Sequence, residues 1–167
     1  MVRGAPDDRS RHGAWYTPDY LVDLVVTAAV EGLGTSTSPV RVIDPACGDG
    51  RLLAAAIHAL ATRGLDVEAF GCEIDPAAAR SARTRLGRSA TVVEGNALEH
   101  PWERSSFDLV VANPPFSSPL SSRGPDTASP PGSPYADLAT RFWDLALELT
   151  RPESGRVALI LPQSILS

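Results

Sequence analysis

The chain has 167 residues, 43% of them hydrophobic and 21% charged, with a net charge of −5. One domain is the natural count for that length, with enough apolar residues for a sizeable core. The acidic balance excludes a uniformly basic nucleic-acid coat while leaving local DNA contacts open.

Two cysteines, Cys47 and Cys72, and three scattered histidines, His12, His58 and His100, form neither a disulfide framework nor a zinc pattern, so no metal site is expected. All 15 basic residues are Arg; with the abundant Ala this reads as a coding bias. The N-terminus has no apolar signal core, and no apolar run approaches the roughly 20 residues of a bilayer span. A cytoplasmic domain without a membrane partner is expected.

In chain order, residues 1–14 are polar and predict a flexible arm. Thr17-Pro18 opens a helical pattern, Thr as N-cap and Pro at the first helical position, with Leu21, Leu24, Val25, Ala28 and Ala29 on one side. Gly32, Gly34 and the Ser/Thr stretch before Pro39 end it. Val40 to Ile43 reads as a buried strand running into Asp44. A glycine turn follows, then a helix with Leu52, Leu53, Ala56, Ile57 and Leu60 at helical spacing. Glu68 to Cys72 is the second strand and ends at Glu73; Asp75-Pro76 caps a helix over Ala77 to Leu86. Thr91 to Val93 and Phe107 to Ala112 are the third and fourth strands, joined through Glu99–Ser106, too short a connection for a long helix. Residues 117–134, rich in Ser, Pro and Gly, predict a flexible loop. A helix from about Ala136 to Leu149 and a fifth strand from Arg156 to Leu161 complete the pattern.

Strands alternating with helices predict an α/β fold, a parallel sheet covered on both faces, with ligands at the carboxyl ends of the strands. Asp44, Glu73, Asn96 and Asn113 all fall at or just beyond those ends.

Asp44-Pro45-Ala46-Cys47-Gly48-Asp49-Gly50 joins the first strand to its helix. Its two glycines let the backbone approach a ligand closely. The third glycine of a pyrophosphate fingerprint is replaced by Leu53, and without Lys there is no Walker A loop. A nucleoside ligand without a bound phosphate chain fits, with Glu73 accepting both hydroxyl hydrogens of a ribose. A tight turn beside a solvated acid is the alternative.

Asn113-Pro114-Pro115-Phe116 leaves the fourth strand. The Asn113 side-chain oxygen and the Pro114 carbonyl could accept both hydrogens of one exocyclic amine and expose its lone pair. Phe116 offers a face for a flat base, worth about 1–3 kcal/mol in stacking. The alternative is an ordinary proline-rich strand exit with Phe116 in the core.

Taken together these motifs resemble the amino-type DNA methyltransferases, specifically the adenine-N6 enzymes of the gamma motif order in the N-6 DNA methylase family. The resemblance covers about residues 12–167. Trp15-Tyr16-Thr17-Pro18 resembles the motif before the sheet, and implies that Thr17 lies near the carboxylate of S-adenosyl-L-methionine, with Tyr16 a further cofactor-binding residue. Asp44, Ala46, Cys47, Gly48 and Gly50 fall in the methionine-binding turn, Glu73 and Ile74 in the ribose-binding segment, and Asn96 and Ala97 in the segment meeting the cofactor's adenine. Asn113, Pro114, Pro115 and Phe116 match the catalytic tetrapeptide, and Gly155 to Pro162 the fifth strand and its exit.

The resemblance implies a Rossmann-like methyltransferase fold, the catalytic domain spanning 15–167 and stopping after the fifth strand. Its activity would be methyl transfer to the N6 amine of an adenine flipped out of double-stranded DNA. Asn96 stands where the family usually has Asp, which weakens the bond to the cofactor's adenine amine. The family continues with a closing strand pair and a target-recognition region, so a C-terminal recognition domain or a separate specificity subunit is expected, and the chain alone is expected to be inactive.

DNA contacts are expected from Arg3, Arg9, Arg11 and Arg123, with loop 117–134 ordering over the flipped base. Arg80, Arg83 and Arg85 read as a solvated helix surface, Asp75 as an N-cap, Cys47 as a packed turn residue. Two rivals remain: a methyltransferase for glutamine side chains or RNA guanine amines, and a non-catalytic cofactor-binding remnant.

Overall fold

The computed structural model describes residues 18–33, 39–115 and 134–161. Tyr16, Thr17, Phe116, the arm 1–14 and the loop through residue 133 lie outside the described residues.

The elements are α1 (Asp19–Glu31), β1 (Val40–Asp44), α2 (Arg51–Thr62), β2 (Val67–Glu73), α3 (Pro76–Leu86), β3 (Thr91–Glu94), β4 (Leu109–Ala112), α4 (Pro134–Leu149) and β5 (Arg156–Leu159). The sheet is parallel in every pairing, in the order β3-β2-β1-β4-β5. The order reverses between β1 and β4, the place where such sheets open a crevice beyond their carboxyl ends.

Side-chain alternation sorts the core onto the two faces. Val42, Leu109 and Val111 pack with α1, α2 and α3 through Val22, Val26, Leu53, Ala56, Leu60, Ala82 and Leu86. Ile43 and Val110 point the other way, onto Phe107, Ala146 and Leu149, and Cys72 meets Ala97 and Phe142 there. Both faces are thus covered. The Glu99–Ser106 connection forms no helix; Trp102 packs on this second face and donates its indole N–H to the Ala97 carbonyl at 2.9 Å.

Three local expectations need correction. Helix α1 turns Val22, Val26, Ala29 and Val30 inward, leaving Leu24 and Ala28 exposed. Two apolar stripes share that helix, and the β-branched one packs on α2 while the leucine stripe faces outward. The helix begins at Asp19 with Pro18 as its N-cap; the Pro18 carbonyl accepts the Leu21 and Val22 amides, so the proline precedes the first helical residue. β4 and β5 are shorter than the apolar runs suggest: Phe107 makes only an isolated bridge to Thr150, and β5 ends at Leu159.

The amino ends of the strands are closed by polar contacts away from the ligand end. Arg41 reaches Glu68 at 2.9 Å and Glu103 at 3.1 Å, with its guanidinium 4.8 Å from the Phe107 ring centroid. Asp108 accepts the Arg41 amide at 2.8 Å and pairs with Arg151. Among the described residues no helix is long and apolar enough to cross a membrane.

Candidate active site

The β1–α2 turn is built by its own polar groups. Asp44 is buried, and its Oδ1 accepts the Ala46 amide at 3.0 Å, an Asx turn that folds the chain back over the strand end. The Cys47 amide then donates to the Cys72 carbonyl at 2.9 Å, tying the turn to β2. Glu73 completes the link: its Oε2 accepts the Gly48 amide and its Oε1 the Asp75 amide, both at 2.8 Å. A carboxylate has about four acceptor positions, so Glu73 keeps capacity for hydroxyl donors. Asp75 caps α3 through the Ala78 amide at 2.7 Å.

The two turn glycines do different work. Gly48 has φ +53° and open space where a Cβ would stand. Gly50, at φ +82°, faces α3: a Cβ there would lie 3.0 Å from Leu86 Cδ1 and 3.2 Å from Ala82 Cα. Close packing of α2 on the sheet, which a third fingerprint glycine would provide, comes instead from β2. Gly71 leaves room for Leu53 and Cys47, whose Cδ2 and Sγ would be 3.3 Å and 3.0 Å from a Cβ at that position.

Two acids at adjacent strand ends shape the electrostatics. Burial pushes the Asp44 carboxyl up to about 8, against the pull of the Ala46 amide and with the Glu73 charge adding to the rise. Burial likewise pushes the Cys47 thiol far up, helped by Asp44 and Glu73, and the Cys72 thiol up to about 11. Neither cysteine has the depressed pKa of a nucleophile.

At β3, Asn96 Oδ1 accepts the Leu98 amide at 3.1 Å, which leaves it one lone pair for a ligand amine. Ala97 is buried against Phe142, so its side chain serves packing, and Ala46 joins the same cluster. Ile74, by contrast, is 62% exposed beside Glu73. Asn113 follows directly on β4, with Pro114 buried and Pro115 exposed. Ile43 pairs with Val110, so Asp44 and Asn113 end neighbouring strands at the switch point.

The structure thus gathers Asp44, Ala46, Cys47, Gly48, Gly50, Glu73, Ile74, Asn96, Ala97, Asn113, Pro114 and Pro115 at one end of the sheet. Arg80, Arg83 and Arg85 lie on an exposed helix surface as expected, and two of them also make surface ion pairs. Arg83 pairs with Glu94 at 3.3 Å, and Arg85 grips Asp49 at 2.9 Å. No local pattern in the sequence signals the second contact, whose partners lie 36 residues apart.

The sheet order is that of a doubly wound, Rossmann-like sheet, and comparison with solved structures gives it the fold of the class I S-adenosylmethionine-dependent methyltransferases. The chain is similar to a protein described as such a methyltransferase from Listeria monocytogenes, with a TM-score of 0.71 and 20% identity over 94% of this chain and 49% of that one. The type I restriction-modification methyltransferase subunit of Streptococcus thermophilus gives 0.65 and 23%, over 90% of this chain and 35% of that one.

The chain belongs to the N-6 DNA methylase family, which it matches over residues 1–167. It is 32% identical to the type I restriction enzyme MjaIX methylase subunit of Methanocaldococcus jannaschii over 111 residues, covering 62% of this chain and 19% of that protein. It is 29% identical to the type II methyltransferase M.BanIII of Aneurinibacillus aneurinilyticus over 126 residues, covering 62% of this chain and 22% of that protein. The chain spans about a fifth of the length of these curated relatives.

Proposed function

We propose that this chain forms the cofactor-binding and catalytic part of an enzyme that methylates the N6 amine of adenine in double-stranded DNA, using S-adenosyl-L-methionine. The observation that carries the reading is the Asn113-Pro114-Pro115 exit from β4 beside the Asp44–Gly50 turn of β1, on neighbouring strands at the switch point.

The residues present fit the cofactor. Open space at Gly48 admits the methionine part against the turn, and Glu73 has acceptor capacity for a ribose. Ile74 offers an exposed apolar surface to the adenine, and Asn96 an acceptor to its amine. The family resemblance assigns Tyr16 and Thr17, which lie outside the described residues, to the methionine end. When bound, the cofactor supplies an activated methyl group on a positively charged sulfur.

The chain's own residues do the positioning. Asn113 and the Pro114 carbonyl hold the two hydrogens of the target amine and aim its lone pair, and Phe116 stacks on the base. A rigid proline pair keeps these acceptors from relaxing, so the contribution is orientation and electrostatic preorganisation. No side-chain base is needed, since a methylated, cationic amine releases its proton readily. A specificity subunit or a further region of the same polypeptide reads the DNA sequence.

Transfer of labelled methyl groups by the intact protein to DNA, RNA and peptide acceptors tests this reading. N6-methyladenine in duplex DNA is the expected product. Label confined to RNA guanine or to glutamine would replace it, and cofactor binding with no transfer to any acceptor would identify a remnant.

A further inference from the structure

Asp49 is an unexpected charge in the cofactor turn, since Asp44 and Glu73 already place two carboxylates beside it. It is held from two directions. Arg85 in the last turn of α3 donates Nε to the Asp49 carbonyl and Nη2 to Asp49 Oδ2, each at 2.9 Å. Arg51, at the start of α2, places a guanidinium nitrogen 3.8 Å from the same Oδ2 and donates another to Asp19 Oδ1 at 3.1 Å. Asp49 Oδ1 in turn accepts the Arg51 amide at 3.3 Å. Asp19, Arg51, Asp49 and Arg85 thus alternate in sign from the first residue of α1, through the glycine turn, to the end of α3.

Partly exposed ion pairs contribute little to stability one by one. The Arg85 contact differs in kind, because one guanidinium holds both the side chain and the main-chain carbonyl of a single residue. It therefore fixes the peptide joining Asp49 to Gly50 as well as compensating the Asp49 charge.

We propose that Arg85 is a positioning residue for the cofactor's amino-acid end. Acting through Asp49, it sets the Gly48–Gly50 backbone and cancels a negative charge that would otherwise repel the carboxylate of S-adenosylmethionine. The proposal rests on the cofactor reading above and adds a residue to it.

Calorimetry on the intact protein with two probes tests it: S-adenosylmethionine, and 5′-methylthioadenosine, which lacks the amino-acid end. Arg85→Gln weakens the first by about threefold to tenfold and leaves the second within about twofold. Arg85→Lys restores part of the loss, since it returns charge without the two-pronged grip. Adding Asp49→Asn to Arg85→Gln recovers part of the S-adenosylmethionine binding, because the poorly compensated charge is gone while the grip on the Asp49 carbonyl is not restored. Rising salt narrows the difference between wild type and Arg85→Gln for S-adenosylmethionine, because it screens the Arg85–Asp49 pair and the repulsion from Asp49 alike.

Equal loss for both probes, no loss for either, or no recovery in the double variant would overturn the proposal. Should Arg85→Gln fail to fold, the Arg85→Lys variant decides by the same two-probe comparison. Failure of the underlying reading has a separate signature: the wild type binds neither probe, or Glu73→Ala binds both as tightly as the wild type.

Discussion

Glu73 Oε2 accepts the Gly48 amide at 2.8 Å while Oε1 accepts the Asp75 amide at the same distance. One carboxylate at the end of β2 therefore clamps the β1–α2 turn to the start of α3. It organises the turn proposed to hold the cofactor, with no ligand needed.

Glu73→Gln turns an amide NH2 toward one of those two donors and leaves that N–H without its acceptor. The expected cost is about 1–3 kcal/mol in stability. Cofactor affinity falls with it, by roughly tenfold or more, because a charge-assisted acceptor for the ribose is lost. Thermal unfolding and calorimetry on the same variant measure both losses; an unchanged affinity would remove Glu73 from the ribose site.

Asp44 gives stability a pH dependence of defined sign. With its folded-state pKa raised from 3.8 to about 8, the native protein holds a proton that the unfolded chain has released between about pH 4 and pH 8. Its contribution therefore falls as pH rises through that window, by on the order of 1 kcal/mol per pH unit at the steepest. Asp44→Asn keeps an oxygen for the Ala46 amide and cannot ionise. Urea unfolding from pH 5 to pH 8 should show a flatter profile for the variant, and parallel profiles would place the buried charge elsewhere.

The two glycines of the turn should separate folding from binding. Gly50→Ala places a Cβ against Ala82 and Leu86 at a left-handed φ, and should lower stability by about 2–4 kcal/mol. Gly48→Ala meets no neighbouring atom and carries only the left-handed penalty, about 1–2 kcal/mol. Yet its methyl group fills the space offered to the ligand, so it should weaken cofactor binding beyond what its stability loss explains. Unfolding midpoints and cofactor affinities for the pair give the comparison; equal effects on both would contradict the division of roles.

The strands and the site turns were legible because their signals are local. A β-branched run ending in Asp, an Asp-Pro cap and a glycine pair each carry their own geometry, and Asp44, Glu73 and Asp75 stand where their sequence neighbours put them. The inward face of α1 was not legible. Leu24 and Val26 are equally apolar, and only the packing of α2 decides between them. The Asp49–Arg85 contact spans 36 residues and depends on how α3 lies against α2, which no periodicity encodes. The packing role of Gly71 is not legible for a similar reason: its lack of a side chain matters only because Leu53 and Cys47 arrive there from another element.

The most direct measurement is N6-methyladenine formation in duplex DNA by the intact protein carrying Asn113→Ala, with cofactor affinity recorded alongside. The expected result is a fall in methyl transfer of about 10²–10³-fold, with S-adenosylmethionine still bound, as for the loss of a preorganised acceptor at a reacting centre. Methyl transfer at the wild-type rate would contradict the assignment of the β4 exit as the place where the target amine is held.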